Sequence, residues 1–221
     1  MEKYFGDLSM NHLASKYIYA KNTIIDSGYE EEILWQSSSC FDDLDEASFL
    51  RELAWVILSS GMKERVIRKL FSNISECFFY WQSAKKIIEN GEKCFNDAII
   101  YFNNKPKISS IIYAAHKLNE IEFDDFKIEV YEDPIGNLQE FPYIGPITVY
   151  HLAKNIGLPV AKPDRHLTRI ANAEGYSDVQ AFCKHISYLC GDPVPVVDIV
   201  LWRFATIERD YLSIFTNEPK Y

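Results

Sequence analysis

The chain has 221 residues, 48% of them hydrophobic. No apolar run nears the roughly 18 residues that a membrane span needs, so a membrane-spanning class is set aside and one large or two small cores are possible. The net charge of -9 argues at first against a polyanionic partner, but residues 26–52 and 120–140 hold nine and eight acids with one base each, which leaves 21 bases and 15 acids elsewhere and keeps nucleic acid open as a partner.

The opening stretch, MEKYFGDLSMNHL, carries acids and no apolar h-region, so no signal peptide is expected and the protein reads as soluble and cytoplasmic. Residues 8–27 alternate at helical spacing and stop at Gly28. The acidic, serine-rich stretch 30–52 around Trp35 predicts a short helix and then a loop through Ser37, Ser38 and Ser39. Residues 45–60 form the most hydrophobic predicted helix, capped by Asp45 or Ser48 and broken at Ser59-Ser60-Gly61. Apolar residues cover most of its circumference, so it should be central.

A helix near 63–72 carries Lys63, Arg65, Arg68 and Lys69. These read as a solvated basic face, or as a Ser59–Lys63 turn that touches DNA. Residues 74–103 predict two or three short helices rich in aromatics, which are expected in the core rather than on a base-stacking platform. Residues 106–119 predict a helix begun by Pro106, and 121–132 a weak one. Period-two alternation and Asn-Gly or Asp-Gly hairpin signals are missing, so the chain reads as all-α. The five cysteines, at 40, 77, 94, 183 and 190, form no CxxC pair and suit reduced core thiols. Cys183 and Cys190 share a helical face, but no further cysteine completes a metal or cluster site. No metal is expected.

The most informative stretch is Phe141 to Ala171, FPYIGPITVYHLAKNIGLPVAKPDRHLTRIA. A short helix from Pro134, capped by Asp133, leads to the turn Pro142–Gly145. A second helix is predicted from Pro146, at N1, to Gly157. The amides at its start suit a phosphate, or a monovalent cation bridging to one. Pro159 and Pro163 then bracket a loop ending at Asp164, which reads either as an N-cap or as a carboxylate for chemistry.

This layout resembles the helix-hairpin-helix (HhH-GPD) superfamily of DNA glycosylases, which includes endonuclease III, the adenine glycosylase and the alkyl-base glycosylases. The matching residues are Phe141, Pro142, Gly145, Thr148 and Asp164, with His166 and Arg169 echoing an Asp-x-His-x-x-Arg pattern. WVILSSGMKERVIRKLF is similar to the helix, serine turn and helix upstream. The resemblance covers roughly residues 45–205.

It implies two helical subdomains with a central cleft. One would be 40–148, ending in the hairpin; the other would be 1–39 with 149–221. It further implies base-excision chemistry on damaged or modified duplex DNA by a monomer without a cofactor. Asp164 would stabilise the oxocarbenium-like state and position water. Pro142, Tyr143, Gly145, Ile147, Thr148, Lys162 and Arg165 would hold DNA phosphates. Tyr150, His151 and Trp202 would line the pocket for a flipped base, although His151 reads equally as a core-satisfied or solvated histidine.

Three features depart from the family pattern. Tyr143 stands where the first hairpin glycine belongs, and a side chain there opposes φ > 0, so an altered turn is expected. Ile147 stands where lyase-active members carry lysine, so the expected enzyme is monofunctional, with Lys162 as a fallback amine. The four-cysteine cluster loop of some members is missing. The alternative reading is a catalytically inactive, DNA-binding or damage-sensing protein.

Overall fold

A computed structural model of the protein describes residues 2–216, with side chains from residue 12 onward. Met1 and residues 217–221, the ends of the predicted terminal subdomain, lie outside the described part. Among the described residues there are fourteen α-helices, one 3₁₀ turn and no strand, so the fold is all-α. No helix among them is long and apolar enough to cross a membrane. The chain divides into two compact units, one built from the terminal segments (up to Ser39 and from Gly157 onward) and one from Cys40–Ile156.

The first unit opens with α1 (Glu2–Asp26) and α2 (Glu30–Ser38). The break between them is Gly28, held at φ 84, with its N–H on the Ile25 carbonyl. This is the left-handed stop that glycine favours. Helix α1 starts earlier than the predicted residue 8.

The second unit begins with α3 (Glu46–Ser59), whose N-cap Asp45 accepts from the Ser48 N–H at 2.7 Å. Phe49, Leu50, Leu53, Ala54, Val56, Ile57 and Leu58 are all buried, as expected of a central helix. Helix α4 (Glu64–Cys77) runs longer than predicted. Lys63, Arg65, Arg68 and Lys69 are exposed, with Arg68 paired to Glu64 one turn away.

A 3₁₀ turn, Phe79–Trp81, then places three successive aromatics at φ 54, 53 and 65. A left-handed L-residue costs about 1–2 kcal/mol. Burial of Trp81 offsets this: its indole donates to Ser75 Oγ (2.9 Å), and its ring stacks on Phe78 (5.0 Å) and Phe71 (5.8 Å). This unit continues through α5 (Ala84–Glu89), α6 (Gly91–Tyr101), α7 (Lys105–Leu118) and α8 (Phe123–Glu132). It ends with α9 (Pro134–Gln139) and α10 (Thr148–Asn155), so α10 belongs to the 40–156 unit. Helices α4, α7 and α10 all pack on α3.

The chain returns to the first unit with α11 (Arg165–Ala173), α12 (Val179–Cys190), α13 (Val194–Ile207) and α14 (Tyr211–Thr216). Helix α13 packs against α1, α2, α11, α12 and α14, and its Val196, Val197, Val200, Leu201 and Phe204 are fully buried. Tyr17, Ile24 and Phe182 join the same core. Buried Arg203 forms a two-pronged pair with Glu32 (2.9 and 2.6 Å) and lies over the Tyr29 and Trp202 rings. Such fork geometry satisfies a guanidinium that burial would otherwise penalise.

All five cysteines are free thiols, but only Cys77, Cys94 and Cys183 are buried. The core-thiol expectation is corrected for Cys40, exposed in the loop before α3, and for half-buried Cys190, the last residue of α12.

Candidate functional site

The hairpin sits at the end of the 40–156 unit. Pro134 opens α9, and Asp133 caps it by accepting from the Gly136 N–H (3.0 Å). The turn after α9 brings Tyr143 to φ 65. Tyrosine therefore adopts here the left-handed φ that glycine favours. The Ile144 N–H closes the turn on the Phe141 carbonyl (3.2 Å).

Thr148 braces the turn from the other side. Its Oγ1 accepts from the Gly145 N–H (2.7 Å) and donates to the Tyr143 carbonyl (2.9 Å). This brace also explains a shifted boundary. Helix α10 starts at Thr148, not at Pro146, because Thr148 makes the turn's last side-chain contacts and Val149 the first helical bond, to Gly145. Gly145 takes no positive φ, and an added Cβ would meet only Thr148 Oγ1, at 3.9 Å.

The turn borders an open surface concavity of about 450 Å³, lined by Ser60 and by Tyr143, Ile144, Gly145, Pro146, Ile147 and Thr148. Of the predicted phosphate residues of the hairpin, only Pro142 is outside this lining. Among the described residues no acceptor meets the N–H groups of Ile147 and Thr148. Both amides stand at the positive start of α10 and can bind an anion. Ser60, in the serine turn after α3, lines the same pocket. Ile147 is 45% exposed and supplies no amine.

Tyr150 and His151, predicted for the base pocket, lie further along α10, both half-buried and neither lining this pocket. At the inner end of α10, Asn155 Nδ2 donates to buried Glu52 Oε2 (2.9 Å), which ties α10 to α3. Burial raises the Glu52 carboxyl above the usual glutamate range, against the opposing pull of Arg51.

Beneath the hairpin lies Lys107, to which the sequence assigned no role. It is 4% exposed. Its ammonium donates to the Leu58 carbonyl (2.7 Å) and the Ser60 carbonyl (2.5 Å), and lies 5.4 Å from the centre of the Tyr143 ring. Burial pushes its amine down to about 8.

The terminal unit holds Asp164, as the N-cap of α11. Oδ1 accepts from the His166 N–H (2.8 Å) and the Leu167 N–H (3.1 Å). Oδ2 has no partner among the described residues, and the side chain is half-buried. The loop leading to it is tied down at two points. Gln180 accepts from the Ala161 N–H (2.9 Å) and donates back to the Ala161 carbonyl. Asp198, 2% exposed on α13, accepts from the Lys162 N–H (2.6 Å). The Asp164 N–H then returns to the Lys162 carbonyl (2.7 Å).

His166 packs edge-on to Tyr211, with Nδ1 3.3 Å from its hydroxyl, while Nε2 accepts from Arg165 Nε (3.2 Å). Burial lowers its pKa against the opposing pull of Asp164. It packs between Tyr211 and Arg165. Arg165 and Arg169 are exposed, Lys162 is half-buried, and Trp202 is half-buried under the Arg203 guanidinium.

The structure thus gathers Tyr143, Gly145, Ile147 and Thr148 into one pocket of one unit. Asp164, Lys162, Arg165 and Trp202 belong to the other. Sequence reasoning missed Lys107, Gln180 and Asp198, because each acts on a backbone group distant in sequence. No family model, curated protein or solved structure matches the chain.

Proposed function

We propose that the chain is a monofunctional base-excision DNA glycosylase of the helix-hairpin-helix kind, a cytoplasmic monomer with one anchoring site and one catalytic carboxylate. The observation that carries this reading is the division of labour within Asp164. Oδ1 is committed to two amides of α11, which fixes the carboxylate, while Oδ2 has no partner among the described residues. A pure cap needs only the first oxygen.

In this reading the pocket at α9–α10 holds a backbone phosphate on the Ile147 and Thr148 amides, with Lys162 and Arg165 as further phosphate contacts. The target base leaves the stack at a cost of a few kcal/mol and is bound in flipped form. The C1′–N bond breaks, and the base departs with the electron pair and takes up a proton. Positive charge develops on the sugar, where Asp164 Oδ2 stabilises it and orients a water molecule. The water oxygen bonds to C1′, loses a proton to the carboxylate, and leaves an abasic site. With isoleucine at 147 no amine attacks from the hairpin, so the strand stays intact.

The test is a panel of duplexes, each carrying one damaged or modified base, incubated with wild type and with Asp164→Asn. Asparagine caps helices about as well as aspartate, so the variant should fold and bind yet release no base. Equal release by both enzymes would refute the assignment. Lesion binding without release by wild type favours the inactive, damage-sensing alternative. A borohydride-trapped covalent adduct would overturn the monofunctional assignment.

A further inference from the structure

A lysine ammonium removed from water is normally matched by a carboxylate, because burial of an isolated charge is heavily penalised. Lys107 departs from this. It is 4% exposed, and no carboxylate partners it among the described residues. Its polar contacts are two carbonyl oxygens and a ring face: Leu58 O at 2.7 Å, Ser60 O at 2.5 Å, and Tyr143 at 5.4 Å. Carbonyls and rings solvate a cation but do not neutralise it.

Two of these three contacts, Ser60 and Tyr143, line the hairpin pocket. The Lys107 charge therefore lies just beneath the wall that carries the Ile147 and Thr148 amides. Burial alone pushes its amine down to about 8, with no neighbouring charge contributing.

We propose that Lys107 is the charged floor of the hairpin pocket, and that its missing counter-ion is the phosphodiester group of a nucleic-acid strand seated on the Ile147 and Thr148 amides. The inference builds on the reading of the hairpin as a nucleic-acid anchor. It adds a residue that never touches the ligand. Lys107 is a positioning and electrostatic residue, which holds the Ser60 carbonyl and the Tyr143 ring in place while its field acts through the pocket wall. Lys107 itself is buried, so its fixed charge is screened by water less than a surface charge would be. The amides supply hydrogen bonds and α10 a partial positive charge; Lys107 adds a full one.

The test uses the full chain, a short abasic duplex and two variants, Lys107→Met and Lys107→Gln. Both remove the charge, but glutamine keeps a donor for the Leu58 and Ser60 carbonyls. Both should bind the duplex about tenfold more weakly than wild type, with a shallower log–log salt slope. Lys107→Met leaves the Leu58 and Ser60 carbonyls without this donor, so it should melt lower than Lys107→Gln, which keeps one.

A lower melting temperature with duplex binding and salt slope unchanged would make Lys107 merely structural and overturn the proposal. Wild-type binding by Lys107→Gln beside weak binding by Lys107→Met would also overturn it, because holding the carbonyls would then suffice. If wild type itself shows no salt-dependent duplex binding, the nucleic-acid reading falls and takes this proposal with it.

Discussion

Tyr143 offers a quantitative check on the hairpin. Its φ of 65 places a side chain in the left-handed region, at a backbone cost of about 1–2 kcal/mol. Its ring compensates through the Lys107 ammonium 5.4 Å away, a cation–π contact contributing about 0.5–2 kcal/mol according to its desolvation. The two effects separate by substitution. Tyr143→Phe keeps both ring and strain and should match wild type within about 0.5 kcal/mol. Tyr143→Ala loses the ring and keeps the strain, so it should lose about 1 kcal/mol. Tyr143→Gly loses the ring and relieves the strain, offset by about 0.5–1 kcal/mol of extra freedom in the unfolded chain. Glycine should therefore exceed alanine by about 0.5–1 kcal/mol. Equilibrium urea unfolding followed by tryptophan fluorescence reads these differences as midpoint shifts at constant slope. Alanine as stable as glycine, or more so, would mean that position 143 is not left-handed and that the hairpin has another form.

Two further predictions concern the supports of the two sites. Gln180→Ala leaves both polar groups of fully buried Ala161 unmatched, so stability should fall by about 1–3 kcal/mol; under the proposed glycosylase function, single-turnover base release should fall more than binding. Unchanged unfolding midpoints would show that Gln180 does not hold the Asp164 loop. Glu52 titrates above the ordinary glutamate range because it is buried. Its native state therefore binds a proton more tightly than the unfolded chain, and stability is lost as pH rises from the ordinary glutamate value through the raised one. Glu52→Gln keeps an oxygen for Asn155, so it should match wild type in acid and melt higher at neutral pH; melting curves against pH check this, and a variant melting lower at neutral pH would reverse the sign.

What could be read from the sequence depended on how local the governing interaction is. Asp45, Asp133 and Asp164 each accept from amides two or three residues ahead, so spacing alone identifies them as caps. The apolar circumference of α3 likewise announces a buried helix. Proline's preference for N1 predicts a start of α10 at Pro146, whereas the Thr148 hydroxyl bridging Tyr143 and Gly145 sets the boundary at Thr148. The left-handed Phe79–Trp81 turn has no glycine or asparagine to signal it; packing of the Trp81 ring imposes it. Lys107 was invisible for a related reason. A lysine in the first turn of a helix reads as solvated, and only Ser60, far behind it in the chain, and Tyr143, far ahead, make it buried.

The same distinction bears on Asp164. From the sequence, cap and catalyst compete as explanations of one aspartate. In the structure the cap uses Oδ1 alone, and Oδ2 has no partner among the described residues. Oδ1 holds two amides of α11, and this fixes where Oδ2 stands. Gln180 and Asp198 fix the approaching loop from α12 and α13, so the carboxylate is constrained from both sides along the chain. Preorganisation of this kind is what electrostatic catalysis requires, because a charge already in place need not reorganise as the sugar becomes positive. The cap is therefore no argument against catalysis. It supplies the rigidity that a stabilising carboxylate needs, and it is the reason that asparagine, which preserves the cap and removes the charge, tells the two roles apart.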